Sequence, residues 1–232
     1  MTSRTALIVG VGDGLSASLA RLLHKEGYSL VLAARNREKL GELAEETGAT
    51  AISCDASEPE SVRELFDATP SPLRVVIYNP SARQRGPLIE LDPVAVRQAI
   101  DVTAYGAFLV GQESTRAMLA QAEEGGVRGT ILFTGASAGV KGFPNSAPFA
   151  MGKFAQRGLA QSMARELHPQ GIHVGWINID GAIRNPGRVE PTDRPDSMLD
   201  PDAIARSYLD LINQDRSAWS NEITVRPWVE KF

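Results

Sequence analysis

Short runs of apolar residues alternate with amphipathic segments along almost the whole chain. The apolar runs are continuous, which is typical of strands buried on both faces of a parallel sheet. Seven strands are predicted, at residues 5–9, 29–34, 51–54, 74–78, 130–133, 173–179 and 223–225. The amphipathic segments predict helices at residues 15–26, 37–47, 59–68, 93–121, 149–167 and 202–213.

This alternation predicts one α/β domain, residues 1–232, with a three-layer, doubly wound (Rossmann-type) parallel sheet of about seven strands. One long irregular segment, residues 184–201, follows the sixth strand, where such sheets carry a lid over the ligand crevice. The segment contains Arg184, Arg188 and Arg194. These arginines indicate either an anionic substrate or an ordinary solvated loop.

Composition narrows the possible partners. Apolar residues make up 43% of the chain, enough for a sizeable core, and the net charge of −4 argues against a nucleic-acid partner. No apolar run reaches membrane-spanning length, and the first residues show no signal-peptide pattern, so a cytoplasmic protein is expected. Three histidines and the single Cys54 predict neither a disulfide framework nor a metal site.

Three glycines follow the first predicted strand and precede the first helix. Gly10, Gly12 and Gly14 could supply the tight turn and the close backbone approach that a dinucleotide pyrophosphate requires at a helix N-terminus. The strand–turn–helix context predicts a dinucleotide site. A glycine-rich turn without a ligand is the alternative.

The chain resembles the short-chain dehydrogenase/reductase family over nearly its whole length. That family has Gly-x-x-x-Gly-x-Gly after the first strand. Gly10 and Gly14 match the first two glycines, whereas Ser16 replaces the third. The resemblance implies that the turn binds a dinucleotide, and that Ser16 either tolerates the packing there or contacts a phosphate.

Further positions match the family's cofactor contacts. Asp55, after the third strand, resembles the adenine-contacting aspartate, and Asn79 keeps the asparagine of the family's Asn-Asn-Ala-Gly run. Gly181 keeps the glycine of a Pro-Gly pair whose proline is Asp180 here. The family's threonine near the carboxamide corresponds to Asn185.

The family's catalytic tetrad of Asn, Ser, Tyr and Lys is mostly replaced. Thr103 stands for the asparagine, Ala136 for the serine and Phe149 for the tyrosine, and only Lys153 is retained. Phe149 has no proton to donate, so the usual Tyr-dependent carbonyl reduction is not expected. Ser137, beside Ala136, is a possible substitute. A small atypical branch of the family also has this phenylalanine, the lysine and an irregular glycine motif, and the chain resembles that branch.

Residues after the second strand bear on the choice of dinucleotide. Ala34 stands where a carboxylate would bind the ribose diol of NAD, and Arg35 follows, which can pair with a 2′-phosphate. Asp13, in the glycine turn, would repel that phosphate. The sequence therefore favours NADP(H) over NAD(H), with a solvated Arg35 as the alternative.

Two functions remain open. The first is an NADP(H)-dependent oxidoreductase of atypical mechanism acting on an unknown small molecule. The second is a catalytically inactive nucleotide-binding sensor or interaction protein. The family resemblance also implies a homodimer or homotetramer built on the helices at 93–121 and 149–167. Trp219, Trp228 and Phe232, near the end of the chain, would mark a contact surface if exposed.

Overall fold

A computed structural model describes residues 4–230. Seven parallel strands form one sheet in the order β3-β2-β1-β4-β5-β6-β9. Their bounds are Arg4–Val9 (β1), Tyr28–Ala34 (β2), Thr50–Ser53 (β3), Leu73–Tyr78 (β4), Gly129–Thr134 (β5), Ile172–Ile179 (β6) and Glu222–Val225 (β9). The predicted doubly wound fold is confirmed, and the strand order reverses between β1 and β4, where such sheets bind ligands.

Helices cover both faces of the sheet. Their bounds are Leu15–Lys25 (α1), Gly41–Thr47 (α2), Pro59–Asp67 (α3), Pro93–Ile100 (α4), Gly106–Ala120 (α5), Ala147–Leu167 (α6) and Pro201–Ile212 (α7). Prolines open several of them at a position where the missing N–H costs nothing. Asp92 and Asp200 cap α4 and α7 by accepting hydrogen bonds from the first-turn N–H groups.

Two hydrophobic clusters, one on each face of the sheet, join the sheet to its two layers of helices. On one face, α1 and α7 pack against the sheet through side chains such as Leu19 and Tyr208, both almost fully buried. On the other face, α3, α5 and α6 pack through side chains such as Leu65 and Met118. The continuous apolar strands are therefore buried from both sides, as their pattern predicts.

The structure differs from the sequence prediction in three elements. The helix predicted at 93–121 is divided by one π-helical turn, Asp101–Tyr105, between α4 and α5. The helix predicted at 37–47 starts as a 3₁₀ turn, Arg37–Leu40. The irregular segment at 184–201 follows one short strand, Ala182–Ile183 (β7), and contains a second, Met198–Leu199 (β8), which pairs with β7. Pairs of two-residue strands are too short to leave a periodic sequence pattern.

The aromatic residues near the end of the chain differ in exposure. Trp219 is half-buried and packs against His168 and His173. Trp228 is 82% exposed. Phe232 lies outside the described residues.

Candidate active site

A continuous cleft runs along the carboxyl ends of the parallel strands. Its central cavity, about 450 Å³, is lined by the glycine turn, Gly135, Phe149 and Lys153. The β2-side cavity, about 870 Å³, shares the glycine turn and adds Arg35 and the start of the 3₁₀ turn after β2. The lid-side cavity, about 800 Å³, shares Phe149 with the central one and extends toward the segment after β7.

The glycine turn needs glycine at its first position. Gly10 has a positive φ of 80°, and an added Cβ would lie 2.6 Å from Cγ of Pro80. At Gly12 an added Cβ would meet nothing within 4 Å, so this side of the turn is open. Gly14 ends the turn and directly precedes α1.

The turn leaves backbone donors free. The N–H groups of Gly10 and Val11 donate to the carbonyl of Ala33. The five N–H groups from Gly12 to Ser16 donate to no acceptor in the described chain. They lie at the start of α1, where the helix dipole also favours negative charge. The arrangement can bind an anion.

Ser16 and Asn79 stabilise the glycine turn through side-chain hydrogen bonds. The Ser16 hydroxyl donates to the carbonyl of Gly10 at 3.2 Å and accepts from the Asn79 amide at 2.7 Å. The Asn79 amide also reaches the Gly10 carbonyl at 3.3 Å. Ser16 is almost fully buried. This network connects the ends of β1 and β4, and direct contact between Ser16 and a phosphate stays a prediction.

The β2-side cavity brings together charged groups of both signs. Arg35 and Asp55 line it as the sequence predicts, and Lys39 adds a cation that the sequence analysis did not identify. Hydrogen bonds from the Ser57 hydroxyl and N–H lower the pKa of Asp55, so it is a carboxylate at neutral pH. Asp13 lines both this cavity and the central one.

Lys153 is only 2% exposed and lies in the wall of the central cavity. Its ammonium donates to the carbonyl of Thr134 at 2.5 Å and to Oε1 of Gln156 at 3.3 Å. Neither partner is charged. Burial, and to a lesser degree the nearby Arg83 guanidinium, lower the pKa of Lys153 to about 7. The lysine can therefore gain or lose a proton near neutral pH.

The other tetrad positions supply no acid to the cleft. Phe149 is buried and lines both the central and the lid-side cavity, and Ala136 lies beside it. Thr103 is fully buried in the π-helical turn and lines none of the three cavities. Its hydroxyl accepts from the N–H of Ala82 at 3.0 Å. Ser137 lines the lid-side cavity, and its hydroxyl has no hydrogen-bond partner among the described residues.

An arginine that the sequence analysis missed stands over the phenylalanine. The guanidinium carbon of Arg83 lies 4.1 Å from the centroid of the Phe149 ring, which is a cation–π contact. Arg83 lines both the central and the lid-side cavity. Partial burial, followed by repulsion from Arg85 and Arg188, lowers the pKa of Arg83. The Arg83-Gln84-Arg85 run after β4 was the available signal.

The three arginines of the segment after β7 have different surroundings. Arg184 pairs with Asp200 at 2.6 Å, Arg194 lines none of the cleft cavities, and Arg188 lines two of them. Asn185 faces the glycine turn across the central cavity, 3.5 Å from where a Cβ on Gly14 would lie. Gly181 also lines the cleft, where an added Cβ would lie 2.9 Å from Cδ of Pro227.

Residues 4–230 lack two other structural features that bear on function. No group of three or more His, Cys, Asp or Glu side chains is placed to hold a metal ion. Within the same residues, no helix combines the length and apolar character needed to cross a membrane.

Known proteins are similar to this chain in sequence and in fold. An uncharacterised oxidoreductase of Staphylococcus aureus (strain USA300) is 29% identical over 98% of both chains. A crystal structure of a short-chain dehydrogenase from Rhodopseudomonas palustris is 34% identical, with a TM-score of 0.82 over 97% of this chain and 99% of that one. A metagenomic short-chain oxidoreductase in complex with NADP is 26% identical, with a TM-score of 0.80 over 97% and 98% of the two chains.

The match extends to the family itself. The family model described as short chain dehydrogenase matches residues 4–192, from β1 into the segment after β7. That range includes the glycine turn, Thr103, Ala136, Phe149 and Lys153. The chain belongs to the short-chain dehydrogenase family.

Proposed function

We propose that the protein binds NADP(H) in the cleft and acts as an oxidoreductase on a small molecule, with a proton path that uses no tyrosine. The glycine turn carries this proposal, because it lines an open cleft and leaves five N–H groups without an acceptor in the described chain. That cleft also holds Lys153 at its centre and Arg35 toward β2. We assign cofactor contacts to Gly10, Gly12, Gly14, Ser16, Arg35, Asp55, Asn79, Lys153 and Gly181.

The charges in the cleft fit a phosphorylated dinucleotide. The N–H groups of the turn and the dipole of α1 match the negative charge of a pyrophosphate. Arg35 and Lys39 supply two cations in the β2-side cavity for a 2′-phosphate, and four carboxylates, Asp13, Glu38, Glu42 and Asp55, line the same cavity. The metagenomic relative in complex with NADP supports the same choice.

The residues of the central cavity suggest how a reaction could proceed. Bound NADPH would supply a hydride to a carbonyl or related carbon. Lys153, with its pKa near neutrality, is the buried group able to give the accompanying proton to the substrate oxygen. Ser137, whose hydroxyl is free, could donate a hydrogen bond to that oxygen from the lid-side cavity. Segment 184–201 would cover the cleft as a lid and exclude water.

A second function rests on the same residues. Phe149 and Ala136 cannot donate a proton, and the Thr103 hydroxyl lies outside the cleft. A protein that binds NADP(H) as a sensor or interaction partner, without turnover, would need the glycine turn and Arg35 but no acid. The two functions differ in one respect, which is whether a hydride leaves bound NADPH.

The first experiment is a calorimetric titration of the protein with NADPH and NADH. NADPH should bind at least tenfold tighter than NADH. Failure of both to bind at millimolar concentration would overturn both functions. NADPH deuterated at C4 is then incubated with the protein and a panel of carbonyl compounds, imines and enones. Deuterium in a product supports the oxidoreductase, whereas binding without any transfer supports the sensor.

Two wider assignments go with this proposal. We place the chain in the atypical branch of the family with Phe for the catalytic Tyr, and in the cytoplasm. We also infer a homodimer or homotetramer, since α4, α5 and α6 expose apolar side chains. They are Val94, Phe108, Leu119, Met151 and Phe154.

Assembly can be tested by sedimentation. The protein should sediment as a dimer or tetramer, and Phe108→Arg combined with Phe154→Arg should shift it toward the monomer. Val189→Arg is a control, because that exposed side chain lies in the segment after β7 and not on α4, α5 or α6. A wild-type monomer at all concentrations would contradict the assignment.

A further inference from the structure

The lid-side cavity carries positive charge only. Three arginines line it, namely Arg83, Arg85 and Arg188, and its lining in the described chain contains no aspartate or glutamate. The chain as a whole has a net charge of −4, so the positive charge of this cavity is opposite in sign to that of the whole protein. A cleft lined by one sign of charge concentrates ligands of the opposite sign.

These arginines have no internal counter-ion. Arg21, Arg157 and Arg184 each pair with a carboxylate within 4 Å. No carboxylate in residues 4–230 pairs in this way with an arginine of the lid-side cavity. Arg85 and Arg188 instead act on Arg83 by repulsion. A bound anion would relieve that repulsion.

Backbone hydrogen bonds hold the segments that carry Arg85 and Arg188 in place. Arg188 lies in a turn closed by two hydrogen bonds with Asn185, of 3.1 Å and 2.8 Å. After Arg85, the N–H of Gly86 donates to the carbonyl of Asn145 at 3.2 Å. The cations therefore converge from two separate segments, and the cavity they line adjoins Ser137 and Phe149.

We propose that the substrate carries an anionic group, a carboxylate or a phosphate, that binds to Arg83, Arg85 and Arg188. This inference rests on the proposed oxidoreductase function, because it assumes that the lid-side cavity holds the substrate. Guanidinium groups bind both anions through paired hydrogen bonds, which also orient the ligand. The rest of the substrate would then lie beside Phe149, with its reacting carbon toward the central cavity and Lys153.

Matched pairs of probes test this inference on the NADPH-loaded protein. One arm compares 2-oxo, 3-oxo and 4-oxo acids of four to eight carbons with their methyl esters. A second arm compares dihydroxyacetone phosphate with dihydroxyacetone. Binding is measured by ligand-observed NMR at two salt concentrations. At least one anion should bind tenfold or more tightly than its neutral partner, and more weakly at high salt. The arm in which this occurs identifies carboxylate or phosphate.

Variants locate the binding. Arg85→Gln and Arg188→Gln should each weaken anion binding at least fivefold. Arg85 lines the lid-side cavity and not the central one, so Arg85→Gln should also leave NADPH fluorescence titrations unchanged. Arg194→Gln, in the same segment but outside the cavity, is the matched control and should change neither. Equal binding of charged and neutral probes, or equal binding by the three variants, overturns the inference. If NADPH itself does not bind, the proposed function has failed, and the anion titrations on the cofactor-free protein then show whether the lid-side cavity binds an anion at all.

Discussion

The two ends of the cleft differ in the chemical groups that line them. On the β2 side, the glycine turn, Asn79, Arg35 and Asp55 place polar groups around an open turn. At the other end, the side chains of Ala136 and Phe149 offer neither a proton nor a hydrogen bond. Under the proposed function, the groups that position a dinucleotide and the groups that move a proton are therefore separable parts of the fold. Lys153 lies where the two parts meet.

Restoring the lost acid should have the largest effect. Phe149→Tyr combined with Ala136→Ser would return a phenol and a hydroxyl to the wall that Lys153 shares. We expect carbonyl reduction, followed as NADPH consumption, to rise by about 10²- to 10⁴-fold, the usual contribution of a general acid. Phe149→Leu is the control, since it changes the packing without adding a proton. No gain in rate would show that more than the acid has been lost.

A substitution of Arg35, after β2, tests the β2 side of the cleft. Arg35→Gln should weaken NADPH binding by about ten- to a hundredfold, because a hydrogen bond to a charged group contributes about 1.5–3 kcal/mol. NADH binding should change little. Arg37→Gln, two residues along and outside the β2-side cavity, should leave both affinities as they are. Equal weakening of NADPH and NADH would assign Arg35 a structural role instead.

The glycine turn can be tested without any ligand. Gly10→Ala should lower the free energy of unfolding by about 1–3 kcal/mol, because the Cβ would overlap Pro80 and the φ angle is positive. Gly12→Ala, in the same turn, should cost less than about 0.5 kcal/mol, since its Cβ meets nothing within 4 Å. Urea denaturation measures both. Similar losses in the two variants would contradict the described turn.

Lys153 should give the stability of the protein a pH dependence. Its pKa is lowered from 10.5 to about 7 in the folded protein. Between these values the unfolded chain binds more protons than the folded one, so this lysine makes stability rise with pH from about 7 to 10 and leaves it level below 7.

Comparison with a variant isolates this contribution. The melting temperature of the wild type relative to Lys153→Met should increase over that range, and a flat difference would place the pKa of Lys153 near its ordinary value. Lys141→Met, on a lysine that lines none of the cleft cavities, is the control and should give a flat difference.

The sequence predicted the architecture well because buried parallel strands leave long apolar runs. It also placed Gly10, Arg35 and Lys153 along one cleft. It did not identify Arg83, since stacking on Phe149 depends on the path of the segment after β4 and leaves no spacing pattern. It did not show that Ser16 hydrogen-bonds within the turn, because the partner, Asn79, is 63 residues away in the chain.

The short β7–β8 pair has a consequence for how this protein could change. Together with the contact between Arg184 and Asp200, it holds the two ends of the covering segment close to each other. For such a tethered loop, doubling the number of residues costs only about 0.6 kcal/mol of closure entropy. Insertions and deletions between β7 and β8 are therefore thermodynamically cheap. Under the proposed function, a change in loop length alone would alter the substrate range and leave the sequence of the nucleotide-binding end unchanged.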